Sequence, residues 1–344
     1  MKITIFGAGA TGSMIGGELA RAGVAVTLIA RGAHLEAMRA NGLTVNMNGE
    51  ERVTHPACTD DPAAVGVQDA VIFTVKAHHA ADAAEAAAPL IGPDTVVVAA
   101  QNGIPWWYFH GTGDAFEGHR LRSVDSDRRV WNAIGPERVL GGVINGSCAL
   151  PRPGYVNHTM KKRSLAIGEP TKNSEGGSSE RAERLAAAFA GTDIDAPLAE
   201  NIRRNIWVKL LSNVAGATLC VLTRSTHGQV HGDPGCRAIE IAMMREAGAV
   251  AAGLGIDISA EIETRVANNT PGNSPHKPST LQDLEAGKMM EVDDIIGAVA
   301  EIARLVGADT PVIDMVYALV RRLAEAEGCY PGDGRFVLRP QPSA

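Results

Sequence analysis

Aromatic side chains are scarce in this chain of 344 residues, which carries 6 Phe, 4 Trp and 4 Tyr. Four of them stand consecutively, at Trp106, Trp107, Tyr108 and Phe109, so much of the aromatic volume is committed to one point of the chain. Cysteine is sparse as well. Cys58, Cys148, Cys220, Cys236 and Cys329 are odd in number, widely spaced and without a CxxC pair, which argues against a disulfide framework or a structural zinc site. The His residues add no metal-ligand spacing. Positive charge is in deficit: 32 Lys and Arg against 39 Asp and Glu leave a net charge of −7, with no Lys/Arg-rich run. Neither nucleic acid nor an anionic membrane is therefore an expected partner. Apolar runs such as 96–100 fall far short of the roughly 20 residues of a membrane span. No signal-peptide pattern is read at Met1-Lys2, which leads straight into a short strand, and a reducing cytoplasm is the expected compartment.

What is present is enough apolar material, 45% of residues, for two cores in a chain too long for one ordinary domain. Short apolar strands at 3–6, 24–30, 70–75 and 95–100 alternate with helical patterns at 13–22 and 79–90. Continuous apolar strands of this kind are buried on both faces, as in a doubly wound α/β sheet. Two more strands are expected within 155–168, then a polar loop at 171–179 and a helix at 180–189. From about residue 199 the strand signal stops, and helices are expected at 200–222, 233–254, 259–267, 279–286, 290–306 and 311–327. The predicted organisation is an N-terminal Rossmann-type domain over 1–198, an all-α domain over 199–330 and a loosely ordered tail over 331–344.

The run Gly7-Ala8-Gly9-Ala10-Thr11-Gly12 closes the first strand and opens the first helix. In that context the glycines permit a tight turn, close backbone approach to a pyrophosphate and tight helix–strand packing. The helix N-terminus supplies amide donors for the phosphates. Nineteen residues past Gly12, where an NAD enzyme places Asp or Glu, stands Arg31. A guanidinium there pairs with a 2′-phosphate, which favours NADPH/NADP over NADH, although a solvated Arg after a strand is the plainer alternative. Lys76 and Asn102 follow the third and fourth strands, at the carboxyl ends where ligands bind in such folds, though Asn102-Gly103 is also an ordinary turn pair.

In the helical half, two charged residues interrupt apolar stripes. On a wheel of roughly 100° per residue, Lys209 and Asn213 fall in line with Ile202, Ile206, Leu210, Ala217 and Cys220, whereas Arg203, Arg204 and Ser212 fall toward its margins or outside it. Burial would lower the pKa of Lys209 and make it a proton donor near neutrality; the alternative is a Lys whose head snorkels to water. Glu291 likewise aligns with Ile295, Ala298, Val299, Ile302 and Val306, with Asp293 pointing away. Ser279-Thr280-Leu281-Gln282 reads as a capping box, leaving a helix N-terminus able to receive a substrate carboxylate.

Together these motifs, with Thr74-Val75-Lys76, Gln101-Asn102-Gly103, Asn201-Ile202-Arg203, Trp207-Val208-Lys209-Leu210 and Glu291-Val292-Asp293, resemble the 2-dehydropantoate 2-reductase (ketopantoate reductase) family over nearly the whole chain. The resemblance implies hydride transfer from NADPH to the 2-keto group of 2-dehydropantoate, giving pantoate. It implies Lys209 as general acid and Glu291 as hydrogen-bond partner at the reacting oxygen. It further implies Lys76 and Asn102 at the nicotinamide end of the cleft, and Asn213 and Ser279 on the substrate. Three departures from the family pattern stand out: Ala217 in place of a second Asn, His78-His79 in place of a Gln, and a longer segment over 104–135. Two alternatives remain open: reduction of a different 2-oxo acid, or a dinucleotide-binding sensor without turnover. A homodimer is compatible with the sequence.

Overall fold

A computed structural model describes residues 1–158, 163–171, 179–268 and 274–331. The expected loop at 171–179 and the tail at 331–344 therefore lie almost wholly outside the described residues. The chain packs as two compact units, one formed by Met1–Gln101, Trp107–His119 and Arg128–Ile202, the other by Asn102–Trp106, Arg120–Asp127 and the chain from Arg203 onward.

The strands all belong to the first unit: β1 (Lys2–Phe6), β2 (Ala25–Ile29), β3 (Leu43–Met47), β4 (Glu50–Thr54), β5 (Ala57–Thr59), β6 (Ala70–Phe73), β7 (Val96–Ala99), β8 (Val139–Asn145), β9 (Cys148–Arg152), β10 (Tyr155–His158) and β11 (Ser164–Gly168). Seven of them form one sheet in the order β11-β8-β7-β6-β1-β2-β5, parallel except for the antiparallel edge strand β11. Register puts Ile5 opposite Leu28 and Ile72, and Ile72 opposite Val98, all four fully buried. Such rows stay dry because helices cover the sheet. The order reverses after β1, the topological switch at which ligands bind at strand carboxyl ends.

The strands β4-β3-β10-β9 make a second, smaller sheet that the sequence reading did not anticipate. Its β3–β4 hairpin turns at Asn48 and Gly49, both in the left-handed region (φ 56° and 97°), the conformation Asn-Gly hairpin turns require.

Helices α1 (Ala10–Arg21), α2 (Gly32–Asn41), α3 (Ala80–Ala86), α5 (Arg129–Ile134) and α6 (Glu180–Ala187) flank the strands, while the short α4 (Arg122–Asp125) belongs to the second unit. There the described residues are helical: α7 (Ile202–Leu211), α8 (Thr218–Thr223), α9 (His227–Gly232), α10 (Pro234–Gly253), α11 (Ser259–Ala267), α12 (Ser279–Glu285), α13 (Ala298–Val306) and α14 (Pro311–Ala326). Asp233 caps α10 by accepting from the Cys236 amide at 2.7 Å, with Pro234 at the first turn. The helical stretch Ile202–Thr223 is long and apolar enough to span a membrane, but most of it is buried within the protein, as in a core helix.

Two π turns interrupt this unit, Ser212–Ala217 between α7 and α8, and Asp293–Gly297 leading into α13. Such turns concentrate at functional sites.

The aromatic tract is interior. Trp107, Tyr108 and Phe109 are almost fully buried, and Trp107 covers Gly141 so closely that a Cβ there would lie 2.8 Å from its ring. Phe109 continues the cluster to Phe116 and His119, with ring centroids 6.0 and 5.5 Å away. Trp107, Tyr108 and Phe109 are part of the core of the first unit.

Candidate active site

The glycine turn sits where β1 meets α1. The amides of Gly7 and Ala8 both donate to the Ile29 carbonyl, at 3.2 and 2.8 Å, tying the turn to the end of β2. A Cβ on Gly7 (φ +96°) would lie 2.4 Å from Val75 Cγ1, and one on Gly12 would lie 2.4 Å from Thr74 Oγ1. Thr74 donates to the Gly7 carbonyl at 2.8 Å, so the Thr74-Val75-Lys76 segment seals the turn from behind. Gly9 differs: a Cβ there meets nothing within 4 Å. Gly9, exposed, also serves as N-cap of α1 without any side-chain cap, ahead of half-buried Ala10 and Thr11. An open, side-chain-free helix start fits a pyrophosphate. Arg31 caps the start of α2 from an exposed position just past β2, and half-buried Lys76 stands three residues past β6.

In the helical unit, Ile206, Trp207, Leu210 and Leu211 bury one side of α7 and carry Lys209 with them. Lys209 Nζ donates to Asn102 Oδ1 at 2.9 Å. Burial draws its pKa down from 10.5 to about 8, and the Glu291 carboxylate pulls the other way. Glu291 is itself only 5% exposed. Lys209, Asn102 and Glu291 are thus brought together within one unit. Asn213 follows one turn beyond Lys209, half-buried in the first π turn, and exposed Ser279 begins α12, which packs against α8 and that π turn.

Asn102 stands three residues past β7 and groups with the helical unit. Four expectations need correction. Glu291 does not lie on a helix; it stands in the connection that leads into the second π turn. Asp293 does not point away: it is buried and accepts from the Tyr317 and Tyr330 hydroxyls at 2.7 and 2.6 Å. A π turn bonds i to i+5, so a wheel built on α spacing loses phase there. Ser279 is no cap either, because Pro278 takes that position with extended backbone and Ser279 is the first helical residue. Arg203, expected toward the margin, is 6% exposed.

The sequence reading also passed over the packing behind the first π turn. His227 stacks between His231 and His276, at centroid distances of 5.8 and 5.4 Å. Burial and its two neighbours draw the His227 pKa down to about 4. Glu240, buried, accepts from Arg237 at 2.7 Å and pairs with His231 at 2.7 Å, while a Cβ on Gly216 would lie 2.8 Å from its carboxylate. Glu240 on α10, four residues before Met244 in a buried stripe, was the available signal.

A Rossmann-like unit with an open glycine turn, accompanied by a helical unit bearing a partly buried Lys–Asn–Glu group, defines a dinucleotide-binding oxidoreductase. The models for ketopantoate reductase PanE/ApbA and for its C-terminal domain match residues 3–172 and 201–324. The chain is 43% identical to 2-dehydropantoate 2-reductase of Mesorhizobium japonicum over 96% of this chain and 100% of the relative. It is 30% identical to the Pyrococcus horikoshii protein of the same name, over 93% and 97% respectively. A crystal structure from Ralstonia solanacearum, of a protein assigned as a ketopantoate reductase, superposes with a TM-score of 0.85 at 39% identity, over 96% of this chain and 99% of that one. The chain belongs to the ketopantoate reductase family.

Proposed function

We propose that this protein is an NADPH-dependent reductase of the 2-keto group of 2-dehydropantoate, yielding pantoate. When bound, the reduced nicotinamide supplies the hydride. Lys209 gives its proton to the alkoxide oxygen that forms as the hydride reaches C2, and the neutral amine is then reprotonated from solvent. The observation that carries this reading is the partly desolvated Lys209 ammonium, drawn to about 8 and held by Asn102 beside Glu291. A lysine at that value is still roughly nine-tenths protonated at pH 7, yet far more acidic than an ordinary one.

The other residues bind and orient. Asn102 fixes the direction of the Lys209 ammonium, and Glu291 hydrogen-bonds at the reacting oxygen and the hydroxyl it becomes. Concentrating polar groups where charge develops is the dominant catalytic effect in sites of this kind. Asn213 and Ser279 hold the substrate's polar groups. Gly7, Ala8, Gly9, Ala10, Thr11 and Gly12 cradle the pyrophosphate, Arg31 pairs with the 2′-phosphate, and Lys76 binds toward the nicotinamide end of the cofactor. The five free cysteines fit a reducing cytoplasm.

Buried Ala217, at the end of the first π turn where the resemblance calls for Asn, favours a second reading: a 2-oxo acid with a less polar tail. Measuring NADPH oxidation against a panel of 2-oxo acids decides between them. Preference for 2-dehydropantoate supports the first reading; an inert 2-dehydropantoate beside a reactive apolar 2-oxo acid supports the second.

A further inference from the structure

Glu291 has no helix to hold it. It lies in the connection between α12 and the second π turn, so the course of its backbone is set by what grips the chain on either side. One residue before it, the Met290 amide donates to the Cys329 carbonyl at 2.8 Å. Two residues after it, Asp293 is buried with both carboxylate oxygens engaged: Oδ1 accepts from Tyr317 at 2.7 Å and Oδ2 from Tyr330 at 2.6 Å. A buried carboxylate is costly unless its lone pairs are met by donors, and hydroxyl bonds to an ionised oxygen are among the stronger ones. Burial and the Asp293 charge push the Tyr317 hydroxyl well above its ordinary value, so it stays a donor across the whole working range of pH.

The same π turn grips the loop that carries Asn102. The Asp294 carbonyl accepts from the Ile104 amide at 2.9 Å. Gly103, with φ +82°, passes so close that a Cβ would lie 2.2 Å from that carbonyl oxygen. Asn102 is the residue before Gly103, and its side chain receives the Lys209 ammonium.

We propose that Asp293, clasped by Tyr317 and Tyr330, is a positioning residue that sets Glu291 and Asn102 around Lys209. The proposal rests on the reading of Lys209 as proton donor. The C-terminal helix α14 and the turn after it are then part of the catalytic apparatus without touching substrate. Loosening the clasp displaces a transition-state partner while leaving the glycine turn of the first unit alone, so it lowers kcat and spares the KM for NADPH.

The test uses the full chain with Tyr330→Phe, Tyr317→Phe, Asp293→Asn and Asp293→Ala, reading thermal unfolding, the KM for NADPH, and kcat with 2-dehydropantoate. Tyr330→Phe keeps the ring and removes one donor. It is expected to lower the unfolding midpoint by a few degrees, with the variant still folded at the assay temperature, and to leave the NADPH KM unchanged while lowering kcat about five- to tenfold. Asp293→Asn, which keeps an acceptor, should recover most of the kcat lost in Asp293→Ala. Unchanged kcat in Tyr330→Phe, or a loss that merely tracks the unfolded fraction, overturns the clasp. A wild type without turnover on any 2-oxo acid overturns the proton-donor reading and the clasp with it.

Discussion

Lys209 and Asn102, 107 residues apart in the chain, meet in a hydrogen bond of 2.9 Å from Nζ to Oδ1. The amide oxygen accepts from the ammonium without neutralising it, so the lysine keeps the lowered pKa that burial imposes while its direction is fixed. A carboxylate in the same place would tie the proton more tightly and make it a poorer donor.

That contrast can be measured. Asn102→Ala should lower kcat about tenfold by releasing the ammonium. Asn102→Asp should instead move the alkaline limb of the pH–rate profile upward, because a second carboxylate raises the lysine pKa. Identical profiles for wild type and Asn102→Asp would contradict the contact.

The reduction needs protonated Lys209, so kcat/KM should fall with rising pH above about 8, the value to which burial draws that lysine. The same shift carries a stability signature. The folded pKa lies below the ordinary 10.5, so between the two values the unfolded chain binds more protons, and stability rises with pH across that window. Lys209→Met should therefore raise the unfolding midpoint at pH 7, by about 2–5 °C, and gain less at pH 10. A midpoint lowered at pH 7 would show that the ammonium is not strained by its burial.

Arg31 carries the choice of cofactor. Arg31→Ala should raise the KM for NADPH about 10- to 100-fold, the loss expected for a charge-assisted hydrogen bond, and leave NADH nearly unaffected. Equal losses with both cofactors would remove Arg31 from the 2′-phosphate.

Two glycines of the turn separate packing from binding. Gly12→Ala drives a methyl to within 2.4 Å of Thr74 Oγ1 and should destabilise the fold. Gly9→Ala meets no protein atom within 4 Å, so its unfolding midpoint should hold while the cofactor KM rises. A stable Gly9→Ala with unaltered cofactor KM would place the pyrophosphate elsewhere.

The architecture was legible where burial is two-sided. Runs such as Val71-Ile72-Phe73 and Val96-Val97-Val98 have no polar alternation, and that pattern alone signals a covered parallel sheet. Lys209 was legible because α7 keeps α spacing up to Leu211. The second sheet was missed although Asn48-Gly49 announces its hairpin, because β4 is largely exposed and too polar to read as a strand. Asp293 was misjudged for a different reason: a π turn is invisible to an α wheel, and its partners Tyr317 and Tyr330 lie a helix away in sequence. Asn102 reads locally as a turn pair, and only folding shows which unit claims it.

The central claim is that Lys209 supplies the proton in an NADPH-dependent reduction, and single-turnover NADPH oxidation with 2-dehydropantoate, comparing wild type with Lys209→Ala, tests it most directly. The account predicts a rate lower by about 10²- to 10⁴-fold in the variant, with NADPH affinity retained. A variant that reduces 2-dehydropantoate as fast as the wild type would contradict it.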